Sequence, residues 1–143
     1  MRLNDAWLDQ RPSFEAIIWN NGLWDVMQDL GYFVSPNDYR KNLTAIGKRI
    51  KAKTSHPLFL LTTDVPPNAR ARKDSDVVAY NKIAGDVMAQ LGIPVLDLYS
   101  IAKASGDLHK ATAAQDDVHF QDAGYERFGL AILEKLKTQH DIE

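Results

Sequence analysis

The 143-residue sequence contains no cysteine. That excludes a disulfide scaffold, a thiolate nucleophile and Cys-ligated zinc or iron–sulfur sites. It also lacks a surplus of one charge: 17 Lys and Arg stand against 19 Asp and Glu, a formal charge of −2. No nucleic acid or other polyelectrolyte is implied as a partner. No apolar run approaches the roughly 20 residues that a bilayer crossing needs. Met1-Arg2-Leu3-Asn4-Asp5 leads into no signal-peptide core. The expectation is a chain with no membrane span and a cytoplasmic location. Repeats, low-complexity tracts and Ser/Gly linkers are absent as well. What is present, 45% apolar and 25% charged residues, is ordinary globular composition, and residues 1–143 read as one domain.

Strand-like and helix-like segments alternate along the chain, which predicts an α/β parallel sheet. Asn4-Asp5 can cap a short turn that Pro12 closes. Phe14 to Trp19 is an apolar run delivered into the polar Asn20-Asn21-Gly22, the pattern of a buried strand. Ser35-Pro36 is an N-cap followed by proline at the first helical position, and Tyr39, Leu43, Ile46 and Ile50 then recur at helical spacing. This predicts a helix to about Lys53. Pro57 to Thr63 is the second strand, and Asp64-Val65-Pro66-Pro67-Asn68 must be a loop. A helix starting at Asp74-Ser75-Asp76 carries the stripe Val77, Tyr80, Ala84, Val87 and Leu91 and ends at the left-handed cap Gly92. Ile93 to Leu98 is the third strand, Ile101 to Asp116 is mixed, and a last helix runs from about Asp122 to His140 with Tyr125, Phe128, Ile132 and Leu136 on one face. Three sizeable helices leave one edge or face of such a sheet short of cover.

Ligands of an open parallel sheet bind outside the carboxyl ends of its strands, so Asn20-Asn21-Gly22, Asp64-Val65-Pro66 and Asp97 are the segments that matter. Ahead of the last helix the sequence reads Asp116-Asp117-Val118-His119-Phe120. Histidine suits general-base chemistry near neutral pH, and a carboxylate on its Nδ1–H fixes the tautomer. The same pair can equally be a solvated loop. Asn20 follows a strand and can donate an amide N–H to an oxyanion, or Asn-Asn-Gly can simply be a turn. Arg70, Arg72 and Lys73 form a basic cluster beside the double proline that can meet an acidic substrate group, although a solvated loop at the head of a helix is the expected reading. His56, His109 and His140 are scattered, and Trp7, Trp19 and Trp24 suit core or pocket walls. No phosphate-cradling glycine loop occurs. A metal site would have to gather Asp64, Asp97, Asp116, Asp117 and His119, most of which are expected to be solvated.

In order and setting these residues resemble the SGNH (GDSL) hydrolases, a family of serine esterases and acylhydrolases. Asp116-x-x-His119 matches the family's terminal Asp-x-x-His block. Asn20 sits where the family has its oxyanion asparagine, although Ile18-Trp19-Asn20-Asn21-Gly22-Leu23 lacks the leading glycine and the aspartate of the family's Gly-x-Asn-Asp block. The resemblance extends through Asn20-x-Gly22-Leu23-x-Asp25, Tyr80-Asn81-Lys82-Ile83-Ala84, Asp97-Leu98-Tyr99 and His119-Phe120-Gln121-Asp122-Ala123-Gly124-Tyr125. It implies a flavodoxin-like three-layer α/β fold, incomplete at the N-terminus and corresponding to the later two-thirds of such an enzyme, through a start placed late or a genuine fragment. It further implies hydrolysis of a small-molecule ester or acylated carbohydrate without metal or cofactor. In those roles His119 is the base, Asp116 its orienter and Asn20 the oxyanion donor.

The family's Gly-Asp-Ser nucleophile block occurs nowhere in this sequence; Gly106-Asp107-Leu108 comes late and lacks the hydroxyl. Of the serines, Ser35 and Ser75 read as helix-start residues, Ser13 precedes a strand and Ser55 closes a helix. Ser100 and Ser105 lie on no strand-to-helix elbow. The alternative function is therefore a non-catalytic, hydrolase-like protein used for binding or assembly. A receiver or flavin module is disfavoured because no acidic phospho-acceptor cluster or phosphate loop leads the chain. The family's strand order would leave Phe14 to Trp19 as an open edge, so homo-oligomerisation through that strand is expected.

Overall fold

The structure, a computed structural model, describes residues 8, 10–28, 31–69, 71–106, 109 and 118–140. Its three strands, β1 (Ala16–Trp19), β2 (His56–Leu60) and β3 (Val95–Leu96), form one parallel sheet in the order β1-β2-β3. Between and after them run α1 (Pro36–Lys51), α2 (Asp74–Leu91), α3 (Leu98–Ala104) and α4 (Asp122–His140).

Alternation along β2 divides the core into two layers, because successive strand side chains point to opposite faces. Phe59 belongs to one cluster with Tyr39 and Leu43 of α1 and Val77, Tyr80, Ala84, Val87 and Met88 of α2. Leu58 and Leu60 belong to the other, with Leu98 and Ala102 of α3 and Phe128 of α4. Both faces of β2 are thus covered, α3 supplying the cover that the sequence pattern did not reveal. Ile18 is the exception: it pairs in register with Leu58 and so shares its face, yet remains 39% exposed. Among the described residues the strands beside β2 are less covered: β1 and β3 contain no fully buried residue.

The helix starts and stops follow the local signals. Ser35 caps α1, its hydroxyl oxygen accepting from the Asp38 backbone N–H at 3.2 Å. Gly92 ends α2 at φ 63°, a left-handed conformation that favours glycine. The strands are shorter than the apolar runs predict, for identifiable reasons. Phe14 donates its N–H to Lys53 O at 2.8 Å, just beyond α1, instead of joining a ladder. Thr62 pairs with a side chain: its N–H donates to Asn81 Oδ1 at 2.9 Å and its carbonyl accepts from Asn81 Nδ2 at 2.7 Å. β3 begins after Pro94, which has no N–H to give, and ends at Asp97, whose carboxylate accepts from Ser100 N at 3.0 Å as the cap of α3.

Two apolar assignments fail. Tyr125 is 48% exposed rather than part of the buried stripe of α4, its hydroxyl accepting from the Phe120 N–H at 3.4 Å. Trp24 is 58% exposed and packs edge-on against Tyr32, ring centroids 5.1 Å apart.

Candidate functional site

Where β1 ends, the chain turns through Asn20-Asn21-Gly22, and the turn is held from three sides. Asn21 O accepts from the Tyr39 hydroxyl of α1 at 3.0 Å and from Thr62 Oγ1, beyond β2, at 3.1 Å. The backbone N–H groups of Gly22 and Asp25 and the Asn21 side chain lie on the Asp25 carboxylate's side of the turn and favour its anion. Asn21 is therefore fixed, while Asn20 is exposed and its amide is bonded to no described residue. Asn20, Asn21, Asp25 and Tyr39 line a cavity of about 440 Å³ together with Ile17 of β1 and Ile46 of α1. Within this wall Trp19 Nε1 and Asn21 Oδ1 are buried with no hydrogen-bond partner among the described residues.

Burial pushes the Asp25 carboxyl above its usual range in spite of the polar groups of the turn that favour its anion. A raised folded-state pKa means that ionised Asp25 opposes folding. Its stabilising contribution is complete below the unfolded-state pKa and is lost as pH rises through the folded one. Burial, followed by the nearby Asp25 charge, likewise raises the Tyr39 hydroxyl.

His119 lies in the segment that leads into α4. Val118 packs on the Phe59 layer and Phe120 is buried in the Leu58 layer, so this segment passes from one face of the sheet to the other, with His119 exposed between them. It is anchored by an antiparallel bridge between His109 and Phe120 and by Gln121 Nε2 donating to His109 O at 3.0 Å. Asp116 lies outside the described residues. No hydrogen bond joins Asn20 to His119 among the described residues; one lines the cavity beside β1 and the other sits on the segment before α4.

A second polar centre was not legible in the sequence. His109 is 7% exposed, not a scattered surface histidine. Its Nε2 lies 3.3 Å from Asp64 Oδ1, and its ring stacks on Phe120 with centroids 4.3 Å apart. Lys103 Nζ bridges Asp64 at 3.4 Å and Asp74 at 3.1 Å, and the Tyr99 hydroxyl donates to Asp74 at 2.7 Å. Burial raises the Asp74 carboxyl, but the bonds from Tyr99 and Lys103 outweigh it and leave the group below its ordinary value. The same contact with Asp74 raises the Lys103 ammonium. Arg72, expected in a solvated loop, is 4% exposed. Only sequence-distant contacts create these environments: 45 residues separate His109 from Asp64 and 49 separate Arg72 from Leu23. Among the described residues no three His or carboxylate side chains gather as a metal site, and no helix is long and apolar enough to cross a membrane.

The family model for GDSL-like lipases and acylhydrolases matches residues 8–127. A lipase/acylhydrolase from Enterococcus faecalis superposes with a TM-score of 0.78 at 24% identity, over 96% of this chain and 68% of that one. An alpha/beta hydrolase enzyme from the metagenome of Lake Arreo gives 0.73 at 18% identity, over 94% and 64%. An acetylxylan esterase from Geobacillus stearothermophilus gives 0.74 at 16% identity, again over 94% and 64%. The present chain thus spans about two-thirds of the length of these structures, which share its three-layer α/β fold. No curated protein matches the sequence.

Proposed function

Because the chain belongs to the GDSL-like lipase/acylhydrolase family, we propose that residues 1–143 form one hydrolase-like domain carrying the base and oxyanion side of serine-type ester hydrolysis. The substrate is a small-molecule ester or an acylated carbohydrate. His119 takes the proton of the attacking hydroxyl, Asp116 orients the imidazole from three residues upstream, and Asn20 donates to the developing oxyanion. The observation that carries this reading is the state of Asn20: an amide bonded to no described residue, at the carboxyl end of β1, on the rim of an open cavity.

No serine is hydrogen-bonded to His119 among the described residues. Ser35 caps α1, Ser100 Oγ donates to Asp97 at 2.6 Å, and Ser105 Oγ is held by Ile101 O and Arg127. Without a serine nucleophile no acyl-enzyme forms, and the route left to this chain is residual activation of water by His119, which is slow without a covalent intermediate. With a short-chain p-nitrophenyl ester, the expected result is slow turnover that falls on the order of 100-fold in His119→Ala and in Asn20→Ala, with Ser100→Ala unchanged. Absence of turnover at every pH would assign the chain to the second reading, a non-catalytic member used for binding or assembly, which the missing Gly-Asp-Ser block favours.

We also propose that two copies associate through β1. Among the described residues this strand is bonded on its β2 side alone, and Ile18 stands exposed on it; an unpaired apolar edge is a template for another strand. Sedimentation at micromolar concentration should show a dimer that Ile18→Lys returns to monomer, with a wild-type unfolding midpoint that rises with protein concentration and a variant midpoint that does not. A stable wild-type monomer contradicts the proposal.

A further inference from the structure

Arg72 is a buried charge without a counter-charge among the described residues. A guanidinium stays protonated in any protein environment, and burying it away from an anion is strongly unfavourable. Its described partners are all neutral: Nε donates to Leu23 O at 2.9 Å, one terminal nitrogen lies 3.3 Å from Met27 Sδ, and the group sits 5.0 Å from the Trp24 ring centroid. These contacts clasp the loop after β1, but they employ a minority of its five N–H donors and none of its charge.

Arg72 lines a cavity of about 600 Å³ together with Lys73, Asp64, Asp74, Lys103 and His109, a volume in the range of small-molecule sites. The two carboxylates there do not serve Arg72. Both are bridged by Lys103, Asp74 also accepts from Tyr99, and Asp64 also meets His109. Lys73 is exposed and forms no ion pair among the described residues. As the N-cap residue of α2 it makes no side-chain cap, so the helix start adds partial positive charge to the same wall. The three fixed cations, Arg72, Lys73 and Lys103, exceed the two carboxylates, Asp64 and Asp74, by one.

We propose that this cavity binds a small organic carboxylate through Arg72 and Lys73. A single positive excess matches a monoanion. A phosphate monoester, close to doubly charged at neutral pH, would meet the field of Asp64 and Asp74, whereas a carboxylate pairs with the guanidinium fork in two parallel hydrogen bonds. The apolar lip of Val65, Pro66 and Pro67 accommodates the carbon frame that bears the charge. The proposal requires no turnover and stands apart from the hydrolase reading.

The test is binding to the full chain, followed by NMR amide shifts and by the thermal midpoint, at constant ionic strength in chloride. The probes are acetate, D-glucuronate, D-glucose and inorganic phosphate. The expected result is saturable binding of the carboxylates at millimolar concentration or below, with shifts centred on residues 65–74 and no response to glucose. Equal affinity for acetate and glucuronate identifies a free small carboxylate as the ligand; tighter glucuronate binding identifies a carboxylated sugar. Arg72→Gln should weaken binding at least tenfold. Because Arg72 also clasps Leu23 and that variant can fail to fold, Lys73→Glu is the second arm: it alters an exposed side chain and should abolish binding with the thermal midpoint of the free protein unchanged. No carboxylate response beyond chloride, a response to phosphate alone, or undiminished binding in Lys73→Glu overturns the proposal.

Discussion

Phe59→Ala should lower the unfolding free energy by about 3–5 kcal/mol, the range for removing a fully buried aromatic side chain and leaving a cavity. Phe59 is completely buried on the central strand. It pairs in register with Trp19 of β1 on one side and Val95 of β3 on the other. Its ring meets Trp19 edge-on, with centroids 5.3 Å apart and planes at 73°. The layer cannot close over the loss easily, because Tyr39, Val77, Ala84 and Val87 around it are held on two helices. Domains of this kind are stable by only about 5–15 kcal/mol, so the change consumes a large share of the total. Urea unfolding with an unchanged slope and a lowered midpoint is the expected observation. A loss under about 1 kcal/mol would mean that Phe59 is not the centre of the layer, since even partial burial of such a ring exceeds that.

Gly22→Ala should destabilise the fold by about 3 kcal/mol, combining a strained backbone with a steric collision. Gly22 has φ +135°, a region that side-chain-bearing residues rarely adopt. A Cβ there would lie 2.7 Å from Thr62 Oγ1 and 3.3 Å from the Tyr39 hydroxyl. These are the two hydroxyls that donate to Asn21 O, so the collision falls on the bonds that hold the strand-end turn. The Gly22 carbonyl, which accepts from the Val26 N–H at 3.0 Å, would be displaced with it. Chemical denaturation should show the loss. Amide shifts confined to residues 20–25, Tyr39 and Thr62 should show that it begins at the turn, and a variant as stable as wild type would remove the turn from the list of fixed features. Any ester turnover should fall in parallel, because Asn20 is presented by this turn.

Local chemistry alone determined much of this protein. Ser35-Pro36 started α1 where the capping pattern indicated, Gly92 ended α2, and the stripe from Val77 to Val87 became its buried face. These signals depend on neighbours within one or two turns, so they are written in order along the chain. The resemblance in the motifs from Asn20 to Tyr125 was legible for the same reason: each block is short, and their order carries the family.

Tertiary contact decided the rest. Strand lengths depended on which backbone groups found partners, and Asn81, brought from α2, closed β2 at Thr62 in place of another strand residue. The composition of the basic loop gave no sign that Arg72 would be buried while Lys73 stayed exposed. Only the approach of the Leu23–Met27 loop made that distinction. The pairing of His109 with Asp64 arose in the same way, from a bridge to Phe120 that the histidine's own neighbours do not encode. Hydrophobic period and capping are properties of adjacent residues, whereas the burial of a charge is settled by whatever the rest of the chain brings against it.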